Sequence, residues 1–203
     1  MRAAAQLWPI YKDLRRRAFT GCRELPVAVK VGLAFAMACA TGLAATVRLP
    51  LPFTPVPVTG QTLAVLLSGV LLGRFYGGLS QALYVGLGAV GLPWFILGSG
   101  GLLGPTGGYL VGFVAAAALI GYTNDRCPAA RGFRPQLALM SGASLLILLC
   151  GAAHLALMPG VGAGRAVLIG VLPFLPGDAV KSFIAASVAS ALMPKASEDA
   201  PTA

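Results

Sequence analysis

The sequence predicts an all-α membrane protein of six transmembrane helices with irregular Pro/Gly-rich loops on the outer side. Three observations carry that prediction. Hydrophobic residues make up 57% of the chain and charged ones 10%, whereas about a quarter of a water-soluble domain is charged. The apolar residues fall in runs near the roughly 20 that a helix needs to cross a bilayer, so 203 residues hold about six spans and no separate soluble or ATPase module. The basic residues, finally, collect at alternate interruptions between the runs.

Residues 1–24 carry Arg2, Lys12, Arg15, Arg16, Arg17 and Arg23 against Asp13 and Glu24. The apolar run that follows is longer than the roughly 7–15 residues of a signal-peptide core, and more runs come after it. This segment therefore reads as a basic cytoplasmic head before a retained first span. Apolar stretches bounded by charge, Pro or Gly place the spans near 26–47, 59–73, 77–97, 107–123, 135–158 and 176–193. The six-helix domain thus covers 25–193, and 194–203 form a short cytoplasmic tail. A six-span path puts Arg74, the Arg126, Arg131 and Arg134 group and Lys195 on the side of the head. Eleven to twelve basic residues then face only Arg48 and Arg165 across the membrane. The positive-inside rule sets both termini in the cytoplasm of a bacterial plasma membrane, and five or seven spans would destroy that segregation. An excess of 15 Lys+Arg over 6 Asp+Glu would suggest nucleic-acid binding in a soluble chain. Here it reports orientation and contact with anionic membrane lipids, and no nucleic-acid partner is expected.

The outer connections are unusual. Pro50, Pro52, Pro55 and Pro57 recur through residues 49–58, which excludes a helix and favours extended backbone. The stretch is otherwise almost all hydrocarbon, so it reads as a rigid apolar loop that packs on protein. It also compensates for the short second span, about 15 residues, because irregular backbone is tolerated at membrane depth only when buried in protein or lining a cavity. A second irregular stretch, residues 91–108, holds seven glycines with Trp94 and Phe95. In the third, Pro173 and Pro176 end any helix entering from Arg165 and open the last span. Together the three loops are expected to close the mouth of a cavity, with Phe53, Val56, Trp94 and Phe95 as apolar cover. Small residues four apart, among them Gly69/Gly73, Gly108/Gly112 and the overlapping Ala34/Ala38 and Ala36/Ala40 pairs, let helix backbones approach closely. An alanine face on the first span could also dock a partner helix.

The spans are nearly free of ionisable groups, and the exceptions are Asp178, Lys181 and His154. A lone lysine at mid-bilayer costs roughly 3 kcal/mol, and Asp178, three residues earlier, lies on the same helix face. Such a pair either bridges helices or binds the polar end of a small molecule. In the second case it offers an acceptor beside a donor, the complement of a cyclic urea or amide; alternatively, Lys181 takes a ligand carboxylate. His154 reads as a packing residue. Thr59, Gln61, Thr106 and Tyr109 lie near the outer loops and are candidates for orienting a ligand, whereas Gln81 and Asn124 bridge or cap helices. No catalytic triad, paired carboxylates or P-loop can be assembled. Cys22, Cys39, Cys127 and Cys150 form no metal-binding or disulfide pattern. Neither enzyme activity, a metal nor a cofactor is expected.

Three ordered motifs, PVPVTGQT at 55–62, GPTGGYLVGF at 104–113 and PFLPGDAVK at 173–181, resemble those of BioY, the biotin-specific substrate-binding (S) component of energy-coupling-factor (ECF) vitamin transporters. The resemblance spans about residues 30–192. It implies a six-helix membrane protein that captures biotin from outside, with a transmembrane coupling protein (T component) and two cytoplasmic ATPases as partners. Carried onto this chain, it makes Asp178 and Lys181 the main polar contacts. Thr59, Gln61 and the Gly104 to Tyr109 motif, including Thr106 and Gly107, complete the site, with Trp94 and Phe53 over the hydrocarbon part. The Ala34/Ala38 spacing resembles the surface such components present to the coupling protein. The competing reading is a self-sufficient secondary transporter, which would need a coupling ion and often shows internal repeats; no convincing repeat is visible.

Overall fold

The computed structural model describes residues 11–17, 19, 21, 24–94 and 101–195. Phe95, expected as ligand cover, and most of the tail lie outside the described residues. The bundle consists of α1 (Val27–Ala44), a long helical segment Gln61–Ala89, α4 (Gly107–Arg126), α5 (Phe133–Ala156), a short α6 (Ala163–Gly170) and α7 (Leu175–Leu192).

The long segment is two helices. Gly73 interrupts it with φ 73° and ψ −173°, a conformation essentially restricted to glycine. As one straight helix it would separate Gln61 from Tyr84 by about 35 Å, yet the Gln61 amide donates to the Tyr84 hydroxyl at 2.6 Å. The arms α2 (61–72) and α3 (74–89) therefore run antiparallel. They touch so closely that a Cβ on Gly77 would lie 3.0 Å from the Ser68 carbonyl, which is the close approach that small residues permit. The Asp125 carboxylate accepts the Arg74 N–H at 3.2 Å and fixes the turn. At about 18 and 24 Å both arms are shorter than a bilayer core, as the short second span predicts, and the six-helix count holds. α3 ends at Ala89, earlier than the expected 97, because Gly91 takes φ 107° and Pro93 follows.

The Pro-rich connection is tied down at both ends. Arg48 and Leu49 pair antiparallel with Thr59 and Val58, the Gly60 N–H donates to the Val47 carbonyl at 3.0 Å, and the Thr54 hydroxyl donates to the Ile169 carbonyl at 2.7 Å. α6 is an element that sequence reasoning did not separate. It lies between the Gly160 turn, with φ 77°, and Pro173, and it carries the carbonyl that holds the loop.

Large apolar side chains such as Phe75, Val90, Val111, Val180 and Phe183 are exposed along the helices, an arrangement suited to lipid and not to water. The core is built from α2, α3, α4, α5 and α7 around Leu66, Tyr84, Ile120, Met140 and Ile147. Gln81 donates to Thr41 at 3.2 Å and bridges α3 to α1, while Asn124 accepts from Arg131 and Gln136 at the other end of the bundle. Both act as helix bridges. The first-span alanines need a correction. Ala34 and Ala38 are fully buried against the rest of the chain, whereas Ala36 and Ala40 face outward. The pairs are offset by two residues, about 200° around a helix, so only one pair can be free for a partner. The described residues 11–17 of the head dock on the end of α7: Tyr11 donates to the Ala191 carbonyl at 2.6 Å, and the buried Arg15 guanidinium lies 3.5 Å from the Ser190 carbonyl. A cation there complements the C-terminal end of α7.

Candidate functional site

Val56 and Pro57 of the Pro-rich connection, Thr106 of the glycine-rich one and Phe174 of the third line a cavity of about 50 Å³ at the end of the bundle that carries Arg48 and Arg165. α7 supplies its charge. Pro176 starts that helix and Asp178 falls in its first turn, where a carboxylate is favoured by the helix dipole. One turn on, the Lys181 ammonium sits 2.9 Å from Asp178 Oδ1. The Asp178 side chain is 6% exposed and that of Lys181 16%, so the pair is desolvated and its attraction is strong. The Thr62 and Ser144 hydroxyls lie beside the same carboxylate.

The opposite wall comes from the start of α2. The Thr59 hydroxyl donates to Gln61 Oε1 at 2.9 Å, the Gln61 N–H points back at Thr59 Oγ1 at 3.4 Å, and Gln61 Nε2 reaches Tyr84. Gln61 is thereby oriented through both ends of its amide. Trp94 stacks on the other side of Tyr84, ring centroids 5.8 Å apart and planes 13° from parallel. Thr106 and Tyr109 enter from α4. The Tyr109 hydroxyl donates to the Gly170 carbonyl at 2.6 Å, and its ring occupies the space a side chain at Gly151 would need. The ring therefore offers the cavity its face while its polar atom is committed to α6.

Of the residues expected from sequence, Asp178, Lys181, Thr59, Gln61, Thr106 and Tyr109 line one cavity. Gly107 sits at its edge as a packing position, since a Cβ there would strike the Leu102 carbonyl and approach His154 Nε2. His154 itself lies 3.1 Å from the Gly104 carbonyl and ties α5 to the glycine-rich loop. Phe53 and Trp94 are absent from the lining. Phe53 is 61% exposed because, in place of the extended backbone expected, Pro52 and Phe53 form a turn in which the Thr54 N–H points at the Leu51 carbonyl at 3.4 Å; beyond that turn Val56 is buried and Pro55 exposed. Trp94 fills the space beside Gly42, where a Cβ would lie 2.8 Å from its ring, and braces Tyr84.

Sequence reasoning missed most of the apolar wall, formed by Leu110, Phe113, Ile147, Leu148 and Phe174. Phe113 stands four residues after Tyr109 on the same helix face, a usable signal. Ile147 and Leu148 had none, because α5 is apolar all round. Among the described residues no group of His, Cys, Asp and Glu could hold a metal. The arrangement suits binding: a donor and an acceptor, side by side and shielded from water, facing an apolar enclosure.

Residues 16–198 match the model of the BioY family. A probable biotin transporter BioY from Methanothermobacter thermautotrophicus is 47% identical over 141 residues, covering 64% of this chain and 88% of that protein. Biotin transporter BioY from Rhizobium etli is 35% identical over 152 residues, 70% and 81% of the two chains. That from Rhodobacter capsulatus is 34% identical over 174 residues, 78% and 88%. In three dimensions the chain resembles the crystal structure of the S-component for biotin from an ECF-type ABC transporter, with a TM-score of 0.72 over 81% of this chain and 90% of that one at 24% identity, a likeness of fold.

Proposed function

The chain belongs to the BioY family, and on that premise we propose that it captures biotin as the membrane substrate-binding subunit of an ECF-type vitamin importer. The observation that carries this reading is the Asp178–Lys181 pair in the wall of an otherwise apolar cavity. The ureido ring of biotin carries N–H donors beside a carbonyl acceptor. Asp178 accepts the N–H, Lys181 donates to the carbonyl, and Thr59, Gln61 and Thr106 orient the remaining polar atoms. Phe113, Ile147, Leu148, Phe174 and the Tyr109 ring cover the sulfur-containing ring and the hydrocarbon chain.

Magnitudes favour shared work. Nanomolar capture requires about 12 kcal/mol. Two charge-assisted hydrogen bonds contribute about 3–6 kcal/mol, and burying roughly 200 Å² of apolar ligand surface about 5 kcal/mol. Neither contribution suffices alone, which accounts for a charged pair placed inside hydrocarbon. A cavity of about 50 Å³ is too small for a bicyclic vitamin, so capture includes an opening step. The Pro-rich loop, held by a two-residue ladder and the Thr54 bond, is the part that gives way.

The protein is a multi-pass membrane protein of a transporter family. In the proposed assembly a T component and two cytoplasmic ATPases supply the energy for release, and the outward Ala36/Ala40 face of α1 takes the docking role expected of Ala34/Ala38. Both termini lie in the cytoplasm of a bacterial plasma membrane. The head at 1–24 and the tail at 194–203 flank the 25–193 binding domain, and the head faces anionic lipid. His154, bonded to a loop carbonyl, supports packing rather than ion coupling, so the secondary-transporter reading gains nothing from it. The test is equilibrium binding of labelled biotin to the purified chain: saturable binding of one ligand per chain is expected, and no saturable binding would overturn the proposal.

A further inference from the structure

One hydrogen bond does not orient the Asp178 carboxylate. Lys181 donates to its Oδ1 at 2.9 Å, but the terminal torsion of an aspartate is broad, and the group can still turn about that contact. An ionised carboxylate has two oxygens and about four acceptor positions, and a ligand N–H needs one of them aimed into the cavity. Two hydroxyls flank the group. Thr62 belongs to the cavity wall, whereas Ser144 does not. Ser144 comes from α5, three and four residues before the cavity-lining Ile147 and Leu148. It therefore lies on their face of the helix, about 5 Å farther from the mouth. It is buried, and its neighbours on α5, Ala143, Ile147 and Leu148, are buried and apolar. Its Oγ stands beside the carboxylate yet completes no hydrogen bond among the described residues. A hydroxyl in that condition bears its full desolvation cost, and a charged acceptor within reach repays it.

We propose that Ser144 is a positioning residue for the binding site: it donates to the back of the Asp178 carboxylate as the ligand N–H engages the front, and so fixes the oxygen that faces the cavity. The inference rests on the biotin reading above. Ser144 touches no ligand, and its effect runs entirely through Asp178. The test compares purified Ser144→Ala with the parent by thermal unfolding without biotin and by equilibrium binding of labelled biotin. Removing an unpaired buried hydroxyl should leave the melting temperature unchanged or raised, while biotin binding weakens about ten-fold, equivalent to about 1.4 kcal/mol. A purely structural role would lower both together. In Asp178→Ala, which has no acceptor, adding Ser144→Ala should change binding by less than about two-fold. Ser182→Ala removes an equally buried, unpaired hydroxyl one turn beyond Asp178 on α7 and should bind within about two-fold of the parent. Parental binding by Ser144→Ala overturns this inference and leaves the biotin reading in place. So does a loss that persists undiminished in Asp178→Ala, or a loss of equal size in Ser182→Ala. A parent chain without saturable binding removes the biotin reading, and this inference with it.

Discussion

A buried ion pair can serve as scaffold or as receptor, and the two roles separate in a double-mutant cycle at Asp178 and Lys181. Replacing Lys181 by Met leaves a carboxylate that is 6% exposed without its counter-charge, and breaking a buried pair in this way costs about 3–5 kcal/mol. The nearby Thr62 and Ser144 hydroxyls return part of this, so a loss near the lower end, about 3 kcal/mol, is expected. Asp178→Asn strands the ammonium in the same manner, softened because Lys181 is 16% exposed and its long chain can reach toward the mouth. In Asp178→Asn/Lys181→Met both charges are gone, and replacing a buried pair with neutral groups is often close to neutral for stability. Thermal unfolding in detergent should therefore rank the double variant near the parent and both single variants below it. Binding of labelled biotin should rank differently: all three variants should lose at least about 100-fold, the equivalent of the two charge-assisted bonds at roughly 1.5 kcal/mol each. A double variant that regains stability and also binds biotin within a few-fold of the parent would refute the receptor role and leave the pair as scaffold.

Three further outcomes follow from the geometry. Gly73→Ala forces a Cβ into a glycine-only conformation, 3.2 Å from Asp125 Oδ2, and should cost about 1–3 kcal/mol, seen as a lowered melting temperature. Tyr109→Phe removes the donor to the Gly170 carbonyl; about 1 kcal/mol of stability should be lost, with faster hydrogen exchange confined to α6 and the neighbouring loop. His154→Gln keeps an amide able to donate to the Gly104 carbonyl, and biotin binding should stay within a few-fold and show no new dependence on a proton gradient in liposomes. A strict loss of gradient-driven uptake would instead favour the secondary-transporter reading.

The six helices were legible in the sequence because their apolar runs and the basic segregation obey bilayer physics. The Asp178–Lys181 pair was legible for the same reason: hydrocarbon removes other charges, so a retained pair stands out. What stayed hidden was direction. Helices surrounded partly by lipid and partly by protein are apolar on every side, and periodicity then carries no inside or outside. Ala34/Ala38 and Ala36/Ala40 are indistinguishable in sequence, and Ile147 and Leu148 look like any lipid-facing pair. The antiparallel fold of α2 on α3 rests on one glycine dihedral, which composition cannot show. Phe53 and Val56 are separated by a turn at Pro52–Phe53 that a run of prolines does not announce, and the Thr54–Ile169 bond that anchors the loop beyond it is made to a distant element. The apolar cover was sought in the outer loops, but of Phe53, Val56 and Trp94 only Val56 lines the cavity; Trp94 braces Tyr84, and most of the wall comes from α4 and α5.

The claim that the buried pair reads the ureido head is tested most directly by competition binding with two altered ligands. Biotin methyl ester keeps the urea and blocks the carboxylate; diaminobiotin keeps the carboxylate and lacks the urea carbonyl. Measured against biotin on the purified chain, the ester should bind within about ten-fold, and the diamine should lose at least about 100-fold, near 2.7 kcal/mol. The reverse order, with the ester abolished and the diamine retained, would place the ligand carboxylate on Lys181 and contradict the account.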